Sequence, residues 1–225
     1  MNLLIVKIKK LMFKIVFLLA SVTANLSFAG ENLPIKVAAF GDSLTSGYGL
    51  RAENSFPYVL EQELKADGYN VIVANKGVSG ETTQDGLARL SSIIAEKPDV
   101  VILEFGANDV LRGYSTEIIY ENLAEIILSL QSEGITVILT GIYAPPKLSA
   151  RYAQDIKELY QTLSSKYQIK LYPFFLDGIV TDLMGVANPD LILRDGLHPN
   201  EEGIKIIANN IKPLVKEILD KFIKD

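Results

Sequence analysis

Three side chains could together move a proton and form a covalent bond: Ser43, Asp195 and His198. An alcohol is a poor nucleophile at neutral pH. Serine chemistry therefore needs a base to take the hydroxyl proton and a carboxylate to hold that base in one tautomer. Asp195 and His198 are three residues apart in Asp195-Gly196-Leu197-His198-Pro199, so one turn can bring the carboxylate to the imidazole and leave the other ring nitrogen for Ser43. The negative oxygen of a tetrahedral intermediate also needs donors. The amides of Ser43 and Gly80 and the side-chain NH2 of Asn108 are the candidates, and a glycine can turn its amide into a cavity with no Cβ in the way. Each residue has a plainer reading. Ser43 could be a helix cap, Gly80 a turn glycine, Asn108 a turn former and His198 a partly buried, satisfied histidine.

The elements that must position these residues can be read from apolar runs. Strands are predicted at Lys36–Phe40, Val71–Ala74, Val100–Glu104, Thr136–Thr140 and Ile169–Tyr172, each continuous rather than alternating, as in a parallel sheet covered on both faces. Helices fill the gaps. Asn54 and Ser55 can cap one that Gly68 ends, Thr82 opens another, and Thr116 caps a longer one with Gly134 just past its end. Two more are predicted from about Ala150 to Lys166 and from Glu201 to Phe222. Strand and helix in alternation predict a three-layer α/β/α sandwich around a five-stranded parallel sheet. Sites in such sheets lie beyond the carboxyl ends of the strands, where Ser43, Gly80 and Asn108 all fall, and Asp195 and His198 follow the last strand.

Composition narrows the function. Of 225 residues 48% are hydrophobic, enough for one sizeable core. A net charge of −5 with no basic cluster in the body of the chain disfavours nucleic acid. The chain has no cysteine and one histidine, which excludes disulfides, thiol nucleophiles and multi-histidine metal sites, and no spaced carboxylate cluster suggests a metal. Lys7, Lys9, Lys10 and Lys14, the apolar Ile15–Val22 and the small residues of Ser27-Phe28-Ala29 read as a signal peptide over 1–29, cut after Ala29 and leaving a single domain over 30–225. The expected location is periplasmic or secreted. The apolar run falls short of the roughly 20 residues that span a bilayer. Loss of the four lysines takes the net charge from −5 to −9, which weakens adhesion to anionic lipid head groups, and no stable membrane insertion is expected of the mature chain.

Four blocks carry a family resemblance: Gly41-Asp42-Ser43-Leu44, Gly80 within Ser79-Gly80-Glu81-Thr82, Gly106-Ala107-Asn108-Asp109 and Asp195-Gly196-Leu197-His198. In order and spacing they resemble the GDSL or SGNH hydrolases, most closely the secreted bacterial group active as acyl-CoA thioesterases, arylesterases and lysophospholipases. The resemblance implies a flavodoxin-like strand order of 2-1-3-4-5 and no cofactor. It implies Ser43 as nucleophile, His198 as base, Asp195 as its orienter, and Ser43, Gly80 and Asn108 as oxyanion donors. It also matches Val110–Tyr114 to a mobile loop beside the acyl site. Val110, Leu111, Arg112, Tyr143 and Pro145 are the expected substrate-binding residues, with loop packing as their plainer role. The expected activity is hydrolysis of a small-molecule or lipid acyl ester by a monomer. A carbohydrate acetylesterase and a non-catalytic α/β binding domain are the alternatives.

Overall fold

Each predicted strand forms, because runs rich in Val, Ile and Leu bury both faces of a sheet. In the computed structural model, which describes residues 33–144, 148–180 and 187–224, these are β1 (Ile35–Gly41), β2 (Val71–Gly77), β3 (Val100–Glu104), β4 (Thr136–Thr140) and β5 (Lys170–Tyr172). All neighbours pair in parallel in the order β2-β1-β3-β4-β5. Strand β5 starts one residue later than expected. The Ile169 amide is taken by the Ser164 carbonyl in the turn that ends the preceding helix, where Gln168 is left-handed at φ 53°.

Alternate residues of β1 feed two cores. Ala38 and Phe40 face α3 (Thr83–Ala95), α5 (Thr116–Ser132) and α6 (Ala150–Tyr167), with Leu90, Ile119, Leu123, Ile126 and Ile156 fully buried or nearly so. Val37 and Ala39 face α2 (Phe56–Ala66) and α7 (Glu201–Lys224), against Leu60, Leu64, Ile204, Ile207 and Ile211. The result is the three-layer α/β/α sandwich. The described residues from Pro34 onward pack as one unit, and the proposed signal peptide lies outside the described residues. Among the described residues no helix is long and apolar enough to cross a membrane.

Two caps differ from expectation. Ser115, not Thr116, caps α5, its hydroxyl accepting from the Ile118 amide. At the start of α2 the Ser55 hydroxyl donates to the Ala52 carbonyl at 2.7 Å instead of capping, because Ala52–Asn54 forms a short 3-10 turn beneath it. Thr82 does open α3, in a reciprocal capping box with Asp85. Two further short helices, α1 (Ser43–Ser46) and α4 (Ala107–Leu111), begin two residues after β1 and three after β3. They turn two of the four sequence blocks into helix starts at the carboxyl edge of the sheet.

Candidate active site

Asp42 ends β1's approach to that edge by capping α1, its Oδ1 accepting from the Leu44 amide at 2.9 Å. Ser43 is therefore the first residue of a helix rather than its cap. Gly41 is needed here for closeness, since a Cβ would collide with Thr45 Oγ1 and with Glu104 of β3. It is not needed for a left-handed exit from the strand.

The segment before α7 carries the other half. Leu193 accepts from Gly196 and donates to the His198 carbonyl, and Ile192 bridges Pro199, so the chain closes into a tight loop. Within it Asp195 Oδ1 accepts from the amides of Leu197 and His198 at 2.9 and 3.1 Å. Asp195 Oδ2 lies 2.8 Å from His198 Nδ1, and His198 Nε2 lies 2.8 Å from Ser43 Oγ. A carboxylate can only accept, so Nδ1 carries the ring proton and Nε2 is left to accept from the serine hydroxyl. Partial burial disfavours the Asp195 anion, yet the two amides and the imidazole outweigh it and hold the carboxyl below its usual range. Tyr48 lies against the imidazole with ring centroids 4.5 Å apart.

The expected donors sit around Ser43. The amides of Ser43 and Gly80 have no intramolecular acceptor among the described residues. Gly80 takes φ 85°, and a Cβ would meet nothing within 4 Å, so the backbone conformation, not space, selects glycine there. Asn108 is differently placed from a free donor. Its Nδ2 donates to Asp42 Oδ2 at 3.0 Å and to the Glu81 carbonyl at 2.9 Å, which occupies both hydrogens.

Beside these groups is a cavity of about 510 Å³, lined mainly by apolar side chains that include Leu44, Val110, Leu111, Tyr143, Phe174 and Leu176. Ser43, Gly80, Asn108 and His198 all open onto it. Tyr143 stacks on Phe174 with centroids 4.0 Å apart. Three of the five expected substrate contacts, Val110, Leu111 and Tyr143, line this cavity. Arg112 does not. Its guanidinium turns back to the Gly80 carbonyl at 2.7 Å, where it holds the Gly80 loop. Pro145 lies outside the described residues.

Two supporting residues escaped the reading of the sequence. Arg89 of α3 makes a two-pronged contact from Nε to the Glu81 carboxylate and donates from Nη2 to the carbonyls of Gly41 and Lys76, tying the Ser43 turn to the Gly80 loop. Glu104 is fully buried at the end of β3 and accepts from Thr45 Oγ1 at 2.8 Å. A charged residue closing an otherwise apolar central strand was its signal.

A family model described as the GDSL-like lipase/acylhydrolase family matches residues 39–206. The chain belongs to that family. An arylesterase of Vibrio mimicus is 37% identical over 185 residues, covering 81% of this chain and 90% of the relative. The thioesterase 1/protease 1/lysophospholipase L1 of Escherichia coli K12 is 29% identical over 180 residues, covering 78% and 82%. Among solved structures, the SGNH-hydrolase family esterase AlinE4 matches with a TM-score of 0.68 at 38% identity, over 83% of this chain and 97% of that one. This GDSL/SGNH member is a carboxylic ester hydrolase with the family's fold.

Proposed function

We propose that the chain is an exported serine esterase and thioesterase acting on arylesters, lysophospholipids and acyl thioesters through an acyl-enzyme. The observation that carries the reading is the unbroken relay Ser43–His198–Asp195, with both contacts at 2.8 Å, opening onto an apolar cavity. As Ser43 Oγ attacks the acyl carbonyl, His198 Nε2 takes its proton and Asp195 steadies the imidazolium. The carbonyl oxygen becomes an oxyanion facing the amides of Ser43 and Gly80. Asn108 joins them by giving up its bond to the neutral Glu81 carbonyl, the weaker of its two, while the charge-assisted bond to Asp42 keeps it in place. Collapse of the intermediate passes the proton from His198 to the leaving alcohol or thiol. Water then repeats the sequence on the acyl-enzyme and releases the acid.

The cavity supports acyl chains over acetyl groups. At about 510 Å³ with an apolar lining it is of drug-ligand size, far larger than an acetyl group needs. Each buried methylene is worth ~0.8 kcal/mol, or about fourfold in kcat/KM. Across p-nitrophenyl esters kcat/KM should climb by about that factor per methylene until the cavity fills. A maximum at acetate would favour the acetylesterase alternative. Ser43→Ala should lower kcat by about 10⁴-fold or more on every active substrate, a factor typical of losing one member of such a relay.

A further inference from the structure

Beneath the nucleophile two acidic side chains share a pocket that water does not reach. Asp42 and Glu104 are both 0% exposed and adjoin one another, close enough for each carboxyl to act on the other's charge. Asp42 Oδ1 accepts from the Leu44 amide and Oδ2 from Asn108. Glu104 Oε2 accepts from Thr45 Oγ1 at 2.8 Å and from the Asp42 amide at 3.3 Å. Glu104 Oε1 is buried with no donor pointing at it. Among the described residues no lysine or arginine bonds either carboxyl. The nearby Arg89 guanidinium spends its contacts on Glu81 and on the Gly41 and Lys76 carbonyls.

Two adjoining anions without a counter-ion cannot both persist in such a place. One proton must be shared, and the contacts say where it sits. Every described hydrogen bond to Asp42 uses it as an acceptor, and Oε1 is the one carboxyl oxygen of the four that lacks a donor. We infer that Glu104 carries the proton on Oε1 and donates it to Asp42, a positioning residue that keeps Asp42 anionic as the anchor of Asn108 and of the Ser43 turn. Burial, then the Asp42 charge, push the Glu104 carboxyl well above its usual range, in keeping with this assignment. The titratable groups around the pair are His198 and Tyr160, with Asp109 beyond Tyr160.

This inference rests on the oxyanion role proposed for Asn108, but its infrared test does not. At pH 8 the infrared difference between wild type and Glu104→Gln should show the C=O stretch of one carboxylic acid, lost in the variant. Glutamine can reproduce the contacts, with Nε2 donating to Asp42 and Oε1 accepting from Thr45. Glu104→Gln should therefore fold and keep at least about a third of kcat. Glu104→Ala should lose about 10-fold to 100-fold in kcat with KM little changed, since Asn108 acts on the transition state. Absence of the acid band, failure of Glu104→Gln to fold, or an equal kcat loss in both variants would overturn the assignment. If Glu104→Ala does not fold, the band and Glu104→Gln decide alone. A wild type that takes no fluorophosphonate would instead remove the hydrolase reading and leave the infrared result standing.

Discussion

Asp42 shows how much one residue beside the proposed nucleophile is asked to do. It caps α1, holds Asn108 and faces Glu104, all without solvent. Burial pushes its carboxyl up from 3.8 to about 6, against the opposing effects of the Leu44 amide, Glu104, His198 and Asn108. The sign of the consequence is fixed by linkage: a folded-state pKa above the unfolded one gives stability that is whole below about pH 4 and lost as pH rises through about 6. That difference corresponds to about 3 kcal/mol. Asn caps helices as well as Asp does. Asp42→Asn should accordingly be more stable than wild type at pH 8 in urea titration, by up to about 3 kcal/mol, with the gap closing toward pH 4. Equal midpoints at pH 8 would contradict the buried anion. The same variant should be a poorer catalyst because a neutral partner holds Asn108 less firmly. Asn108→Ala should cost about 10²-fold to 10³-fold in kcat, as loss of one oxyanion donor typically does. In wild type kcat/KM should fall as pH drops through about 6, because Asp42 gains a proton there and loosens its hold on Asn108. A rate unchanged across that range would contradict this role of Asp42.

At the scale of elements, the site is a set of strand ends. β1 and β3 end in helix starts, and the loop after β2 swings Gly80 toward Ser43. The tolerances of the two glycines follow. Gly41→Ala should destabilise the fold by about 3 kcal/mol in urea titration, because its Cβ meets the Thr45 hydroxyl and Glu104, groups fixed by the pair beneath. Gly80→Ala has open space and should cost only about 1 to 2 kcal/mol of left-handed strain. Similar losses at both positions would refute this account of Gly41. The strands were legible in the sequence because a sheet covered on both faces needs continuous apolar runs, and the four blocks stood out because polar and glycine residues cluster where those runs stop. Glu104 was not legible as a partner of Asp42, 62 residues away, because only the parallel register of β1 with β3 sets Gly41 opposite it. Of the two roles open to Arg112, substrate contact and loop packing, sequence could not choose for a related reason. Its place in the Val110–Tyr114 loop is visible in sequence, but whether its guanidinium faces the cavity or the Gly80 carbonyl depends on packing.

For the whole molecule, the parallel sheet collects polar groups at one edge and leaves two apolar cores to hold them rigid. Phe174, Leu176, Val180 and Ala187 complete the cavity from the irregular stretch between β5 and α7, where no periodicity marked them in advance. The acyl reading is thus a property of the assembled chain, whereas the relay could be read from residue types and order. Its decisive test is covalent. A fluorophosphonate ester mimics the tetrahedral intermediate, so treatment of the wild type followed by peptide mass spectrometry should find one adduct per chain, on Ser43. Ser43→Ala should take none and His198→Ala should react far more slowly. Modification at another residue, or undiminished labelling of Ser43→Ala, would contradict the assignment of Ser43 as the nucleophile.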